Sequence, residues 1–204
     1  MKDIVIVGAS GFAKEIKWIV DRINDKELTY NFVGYIDNIK NDFVVGNDSY
    51  LDCYANELAV VIAISNPVIR KKLAERYKRN KHLFFPNIVD PSVLMSDSVS
   101  MGMGNIICAG SIMTVDISVS DFCIFNLDCT VGHGTVIDNF VTVNPSVNIS
   151  GNVMVSEGTS IGTGAQILQG LKLGKNSVVG AGAVVIEGIP DNCVAVGVPA
   201  KKIR

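Results

Sequence analysis

Every sixth residue from Val89 to Val185 is apolar, running Val89, Met95, Met101, Ile107, Met113 and onward without an insertion to Val179 and Val185. Four residues after each of these stands a side chain that is mostly small or β-branched, such as Val93, Ser111, Cys123, Thr135, Ala165 and Ala183. A six-residue period fits neither a helix of 3.6 residues per turn nor a free-standing strand. It fits a coil whose short strands each send one large residue inward and then turn a corner. Three hexads then make one coil of 18 residues, and residues 18 apart stack on neighbouring coils at the ~4.8 Å spacing of paired strands. The 96 residues from 89 to 184 supply 16 hexads, a little over five coils of a parallel β-helix. Each coil buries its ladder only against the next, so the ends need caps. The segment from Glu187 to Arg204, with Pro190 and Pro199, leaves the period and is the expected C-terminal cap.

The first 86 residues read differently. Lys2 to Val7 is rich in β-formers and runs into Gly8-Ala9-Ser10-Gly11, after which Phe12 to Ile23 carries Ile16, Ile19, Val20 and Ile23 at helical spacing. Further strands are expected at Phe32–Ile36, Leu58–Ile64 and Leu83–Phe85, with a second helix at Pro67–Lys78. Alternation of this kind predicts a small parallel α/β domain over 1–86, about half of a dinucleotide-binding fold, followed by the β-helix over 87–204. Gly8 and Gly11 at the mouth of a helix let backbone approach a phosphate, although their GxxG spacing also serves a plain strand-to-helix turn. Asp37, after the second strand, stands where such folds meet a ribose or base edge, or is a solvated loop aspartate.

Composition excludes several classes of partner. Eighteen Lys and Arg against twenty Asp and Glu leave a net charge of −2, no footprint for nucleic acid. The longest aliphatic run, Ala59 to Ile64, is far short of the ~20 residues of a membrane span. With no signal-peptide layout at the N-terminus, a cytoplasmic protein is expected. Five cysteines without a CxxC or CxxH pairing point to buried thiols in a reducing compartment, and no residue cluster suggests a metal.

The hexapeptide repeat and the closing Gly197-Val198-Pro199-Ala200-Lys201 resemble the left-handed β-helix acyltransferases. With the Gly-Ala-Ser-Gly-Phe-Ala-Lys-Glu opening, Tyr35-Ile36-Asp37, Ala63-Ile64-Ser65-Asn66 and Arg70-Lys71-Lys72, the chain resembles the sugar acetyltransferases of bacterial glycan pathways over nearly its whole length. That group includes N-acetyltransferases of nucleotide-linked 4-amino-4,6-dideoxy sugars and sialic acid O-acetyltransferases. The resemblance implies a homotrimer with acetyl-CoA as co-substrate in the groove between prisms. It implies an N-terminal domain that holds a UDP- or dTDP-sugar through Gly8, Ser10, Gly11, Asp37, Ala63 and Ser65. The family's glycine turn often continues with His where this chain has Phe12. Two other readings stand beside N-acetyl transfer: O-acetylation of a sugar, and a non-catalytic nucleotide-sugar-binding scaffold.

The prism contains one histidine, His133, two positions after Val131 and therefore near a corner. A repeat of aliphatic and small residues gives it no packing role, and the sequence Asn126 to His133 matches where the family carries its base. An imidazole with an ordinary pKa near ~6.5 can take the proton of an attacking amine at neutral pH. The family follows this residue with Glu or Asp to orient the ring, whereas here Gly134 follows. By the 18-residue step Gly134 stacks between Asp116 and Asn152, and Asp116 is the expected orienting partner, unless it is a corner aspartate in water. A further family histidine aligns with Thr142. The same step puts Gly151 beside His133, where its N–H can meet the thioester oxyanion. Thr163 and Ala181 form another stacked pair flanked by Gly164 and Gly182, a side-chain-poor wall for a pantetheine arm, with Lys201 toward the nucleotide end of CoA.

Overall fold

The computed structural model describes residues 1–39 and 42–204. The N-terminal part is a sheet of five parallel strands, β1 (Lys2–Val7), β2 (Tyr30–Ile36), β3 (Val44–Gly46), β4 (Leu58–Ile62) and β5 (Leu83–Phe84), in the order β3-β2-β1-β4-β5. Three helices connect them: α1 (Gly11–Lys26), α2 (Asp48–Asp52) and α3 (Pro67–Tyr77). Helix α1 forms because Ala13, Ile16, Ile19 and Val20 recur on one face, and all four are buried against the sheet. Helix α3 starts at Asn66, whose side chain accepts from the N–H of Val68 at 3.0 Å and Ile69 at 3.1 Å, with Pro67 at the first helical position. Strand β4 ends at Ile62, earlier than its apolar run suggests, and this releases Ala63–Asn66 as a loop at the carboxyl end of the sheet. Strand β3 and helix α2 have no counterpart in the sequence reading, being too short to show a period.

From Ile88 onward the chain winds as a three-sided prism of two-residue strands. Register follows the 18-residue step: Met113 pairs with Val131 and Val131 with Ile149, Phe125 with Val143, and Ile137 with Val155. The inward ladder is buried from Ile107 through Val185. Corner residues three places after the inward residues from Met101 to Val179 adopt a left-handed conformation, which glycine, Asn and Asp tolerate best. Phe122 and Phe140 break that preference at φ of 54° and 59°. Their rings stack at 5.5 Å, and Phe85 meets Phe122 edge-on at 5.2 Å. At the far end the coil shortens: Val178 pairs with Val194, 16 residues on rather than 18, and Lys201–Lys202 folds back antiparallel on Ala195 and Val196. The segment after Glu187 thus closes the prism.

Each of the three faces is one stack of short strands. The first carries Ile88, Ile106, Ile124, Thr142, Ser160 and Val178 outward; the second, Leu94 to Val184; the third, Ser100 to Lys172. The α/β sheet and α1 sit on the first face, where Ile88, Ile106 and Ile124 join the same buried cluster as Ile4, Ile6, Ile16 and Ile19. Each isoleucine withdrawn from water here contributes roughly 1.5–3 kcal/mol. Arg22 adds a two-pronged ion pair to the fully buried Asp90 side chain, at 2.7 and 3.0 Å. Arg70, 1% exposed, completes the join. Its guanidinium donates to the carbonyls of Ile64 and Ser65 on one side, and to those of Phe122, Phe140 and Val141 and the Thr142 hydroxyl on the other. Without a carboxylate among these partners, burial pulls its pKa down to about 10.

Candidate active site

Residues proposed to hold the nucleotide sugar converge at the carboxyl ends of β1, β2 and β4. In this strand order the chain leaves β1 in both directions, so the crevice between β1 and β4 is the switch point at which open α/β sheets bind ligands. Gly8 turns there at φ of 100°, with the Ala63 carbonyl 3.3 Å from where a Cβ would stand. The Asp37 carboxylate accepts the Ala9 N–H at 2.9 Å through one oxygen, and the Asn38 and Ile39 N–H groups through the other. It therefore ties the glycine turn to the end of β2. Ser10 precedes α1 without capping it, and a side chain on Gly11 would meet nothing within 4 Å. The start of a 16-residue helix thus borders open space at Gly11, and a helix N-terminus of this kind favours an anion. Ala63 is buried and Ser65 exposed, the Ser65 carbonyl being pinned by Arg70 at 2.9 Å and by the Thr142 hydroxyl at 2.7 Å.

His133 lies on the edge between the second and third faces, exposed, and its ring makes no hydrogen bond to any described residue. It lies flat against Gly151, where a Cβ would meet Nε2 at 2.5 Å and Cε1 at 2.6 Å. The Gly151 N–H likewise donates to no described group. The expected partner Asp116 does not reach the ring: its backbone N–H is held by Ser98 Oγ at 2.8 Å and its side chain remains on the exposed corner below. The space above Gly134 is filled instead by Asn152 Oδ1, with which a Cβ on Gly134 would collide, and the Asn152 N–H donates to the His133 carbonyl at 2.7 Å. Asn152, not Asp116, is the neighbour that the missing side chain at position 134 admits. A left-handed corner at Asn152, φ 56°, turns its amide that way.

Thr163, Gly164, Ala181 and Gly182 occupy a different edge, between the first and second faces. The Gly182 N–H donates to the Thr163 carbonyl at 2.8 Å, and side chains on Gly164 or Gly182 would meet nothing within 4 Å, so the wall is open. Lys201 is exposed on the last strand of the first face. The sequence reading missed a cavity of 390 Å³ over the first face where α3 meets it, lined by Ser65, Asn66, Thr142, Asn144, Ser160 and Asn176 among others. Its only forewarning in sequence was the Ser65-Asn66-Pro67 helix start and the Thr142 substitution. Among the described residues no group of three potential ligands could hold a metal.

A side-chain-poor wall on one prism edge, a histidine without a hydrogen bond among the described residues on another and a glycine turn at a helix start fit an acyltransferase of the hexapeptide-repeat class. Residues 3–77 match the PglD N-terminal domain family. A putative acetyltransferase of Schizosaccharomyces pombe is 30% identical over 192 residues, covering 90% of this chain and 81% of that protein. Three further curated acetyltransferases align over only 24% to 28% of their own length. Among solved structures, the acetyltransferase domain of PglB from Neisseria gonorrhoeae in complex with acetyl coenzyme A superposes with a TM-score of 0.93 at 27% identity, over 99% of both chains. PerB from Caulobacter crescentus, with CoA and GDP-perosamine, superposes with a TM-score of 0.90 at 28% identity, over 100% of this chain and 98% of that one. The chain belongs to the left-handed β-helix family of nucleotide-sugar acetyltransferases, and it is an enzyme of acyl transfer.

Proposed function

We propose that this enzyme transfers the acetyl group of acetyl-CoA to the amine of a nucleotide-linked 4-amino-4,6-dideoxy sugar, with His133 as general base. The observation that carries this reading is the seating of the His133 ring, exposed and without a protein partner, on the Gly151 Cα at a prism edge. Neutral imidazole takes the proton as the amine nitrogen attacks the thioester carbonyl. The oxyanion that forms lies within reach of the Gly151 N–H. Collapse breaks the carbon–sulfur bond, and imidazolium returns the proton to the departing CoA thiolate. General-base help of this kind supplies ~10²–10⁴ in rate, with the remainder from holding amine and thioester together.

The two halves of this machinery do not meet within one chain. The α/β part sits on the first face, and the edge bearing His133 is the one opposite that face. The reading therefore includes a cyclic homotrimer in which one copy lends His133 to the glycine turn, Asp37 and Ser65 of the next. CoA then runs between prisms, with Thr163, Gly164, Ala181, Gly182 and Lys201 on one side and Gly151 on the other. The nucleotide sugar occupies Gly8, Ser10, Gly11, Asp37, Ala63 and Ser65.

Incubation with acetyl-CoA and a panel of UDP-, dTDP- and GDP-linked 4-amino sugars, followed by thiol release and product mass, tests the proposal. Acetylated product that collapses in His133→Ala supports it. Product from sugars whose amine is blocked would move the acceptor to a hydroxyl, and no thiol release with any acceptor would leave a nucleotide-sugar-binding scaffold.

A further inference from the structure

The prism is closed at its C-terminal end and open at the other. Of the inward ladder, Val89 and Met101 are only half-buried and Met95 is 37% exposed, because the first coil has no coil beneath it. Around this open end Leu94 is 65% and Met103 45% exposed, both large apolar side chains in water. Met103 also lines a mainly apolar cavity of 530 Å³ with Leu83, Phe84 and Phe85, whose rim is Lys78 and Lys81. A second cavity of 530 Å³ shares Asn80 and Lys81 and adds Arg79 and His82. The Lys2 ammonium stands 5.0 Å over the Phe84 ring. Through the shared Asn80 and Lys81 the two cavities form one surface with an apolar floor at Met103 and Phe84 and a basic border, and Leu94 and Met95 lie at the same open end of the prism.

Most acidic groups here are already engaged. Asp52 is paired with Arg76 at 2.6 Å and Asp121 with Lys78 at 3.4 Å, while Lys2, Arg79 and Lys81 form no ion pair among the described residues. Asp97 is exposed on the open coil but on the edge opposite the α/β part, and the acidic neighbour of the basic border is exposed Glu57, next to Leu58, whose N–H donates to the His82 carbonyl at 3.0 Å. In a chain with a net charge of −2, a surface of this sign and shape departs from the average. We propose that the open end of the prism and the adjoining Lys78–His82 segment dock on an anionic lipid surface. The cations meet the headgroups, and Leu94, Met95 and Met103 enter the boundary with the acyl chains.

Charge selects this occupant over a second copy. Base-to-base stacking of two prisms would bring Lys78, Arg79 and Lys81 of one copy toward the same residues of the other, a like-charge arrangement that interfaces avoid. A phospholipid surface offers negative charge over apolar depth, matching border and floor together. No helix of the described residues is long and apolar enough to cross a membrane, so the contact is peripheral. In the cyclic trimer of the proposed function, rotation about the axis leaves all three surfaces on one side, so they engage one plane together. That last step rests on the trimer; the surface itself belongs to a single chain.

Sedimentation of the full chain with vesicles of phosphatidylcholine alone, or mixed with phosphatidylglycerol, tests the proposal without any turnover. The expected result is co-sedimentation with the anionic vesicles, release by high salt and little binding to the neutral ones. Each basic residue held at an anionic surface strengthens partitioning about fivefold. Reversal in Arg79→Glu/Lys81→Glu should therefore weaken it by roughly tenfold or more. Leu94→Ser/Met103→Ser should weaken it as well, with circular dichroism of both variants unchanged. Absence of binding, equal binding to neutral vesicles, or undiminished binding by the charge-reversed variant would overturn the proposal. So would a larger assembly in lipid-free solution that Leu94→Ser/Met103→Ser dissolves, since the occupant would then be a second copy.

Discussion

The His133 imidazole rests on Gly151 so closely that one added methyl group at position 151 would stand 2.5 Å from Nε2. Gly151 has no left-handed φ, so its backbone accepts alanine without strain and the ring alone must yield. Gly151→Ala should lower kcat by about a hundredfold, the cost of misplacing a reacting group by roughly 1 Å, while the thermal midpoint stays within the range of neutral surface changes. Steady-state kinetics beside thermal denaturation separates the two. An unchanged kcat would show that the ring has no fixed seat during catalysis.

Why the prism was legible and its chemistry only partly so follows from what a period encodes. The apolar ladder from Val89 to Val185 names the coil, its register and every stacked neighbour, and so placed Gly151 beside His133 and Thr163 beside Ala181. A period does not encode which way a corner side chain turns. Asp116 and Asn152 are both one step from Gly134, and only backbone conformation and collision geometry single out Asn152. Nor does it encode long-range contact: Arg70 appeared only within a basic run, whereas three carbonyls from corners 52 to 71 residues away draw it out of water. Phe122 and Phe140 disobey the glycine-or-asparagine habit of their corners because stacking and Arg70 hold them there.

Asn152 supplies the second prediction. Gly134→Asp should be impaired, because its side chain meets the Asn152 amide, and Asn152→Gly should clear that space. The double variant Gly134→Asp/Asn152→Gly restores a carboxylate next to His133 and should be more active than Gly134→Asp alone. The measured quantity is the coupling between the two substitutions in kcat, expected at several-fold or more because they share one space. Additive effects would mean that Asn152 does not occupy this space in solution.

Arg70 makes a strong stability prediction. Arg70→Met removes a buried cation and strands the carbonyls of Phe122, Phe140 and Val141 away from water. Each buried carbonyl left without its donor costs roughly 1–3 kcal/mol, far above a surface substitution. Urea unfolding should show the midpoint falling. The loop of Ser65 and Asn66, pinned by the same guanidinium, should become sensitive to protease before the prism does. A variant as stable as the parent would mean that the two parts are held by the isoleucine cluster alone.

Asp90 sets the response to acid. Burial alone would raise its pKa, but the Arg22 guanidinium and the hydroxyl and N–H of Ser92 outweigh that and hold the carboxyl below its usual value. A group whose folded pKa is depressed contributes stability that is fully present above its unfolded pKa of ~3.9. That contribution is lost as pH falls through the folded value. Stability of the parent should therefore drop on acidification below about pH 4, in part through this pair. Asp90→Asn should be less stable at neutral pH and lose less on acidification, so that the two curves converge toward low pH. Arg22 is 35% exposed and its charge is screened at the surface, whereas the Asp90 side chain is fully buried, so the variant removes the costlier partner to desolvate and leaves a cation that water can serve. Parallel curves would assign the acid response to other carboxylates and leave the Arg22–Asp90 pair as a positional contact between α1 and the first coil.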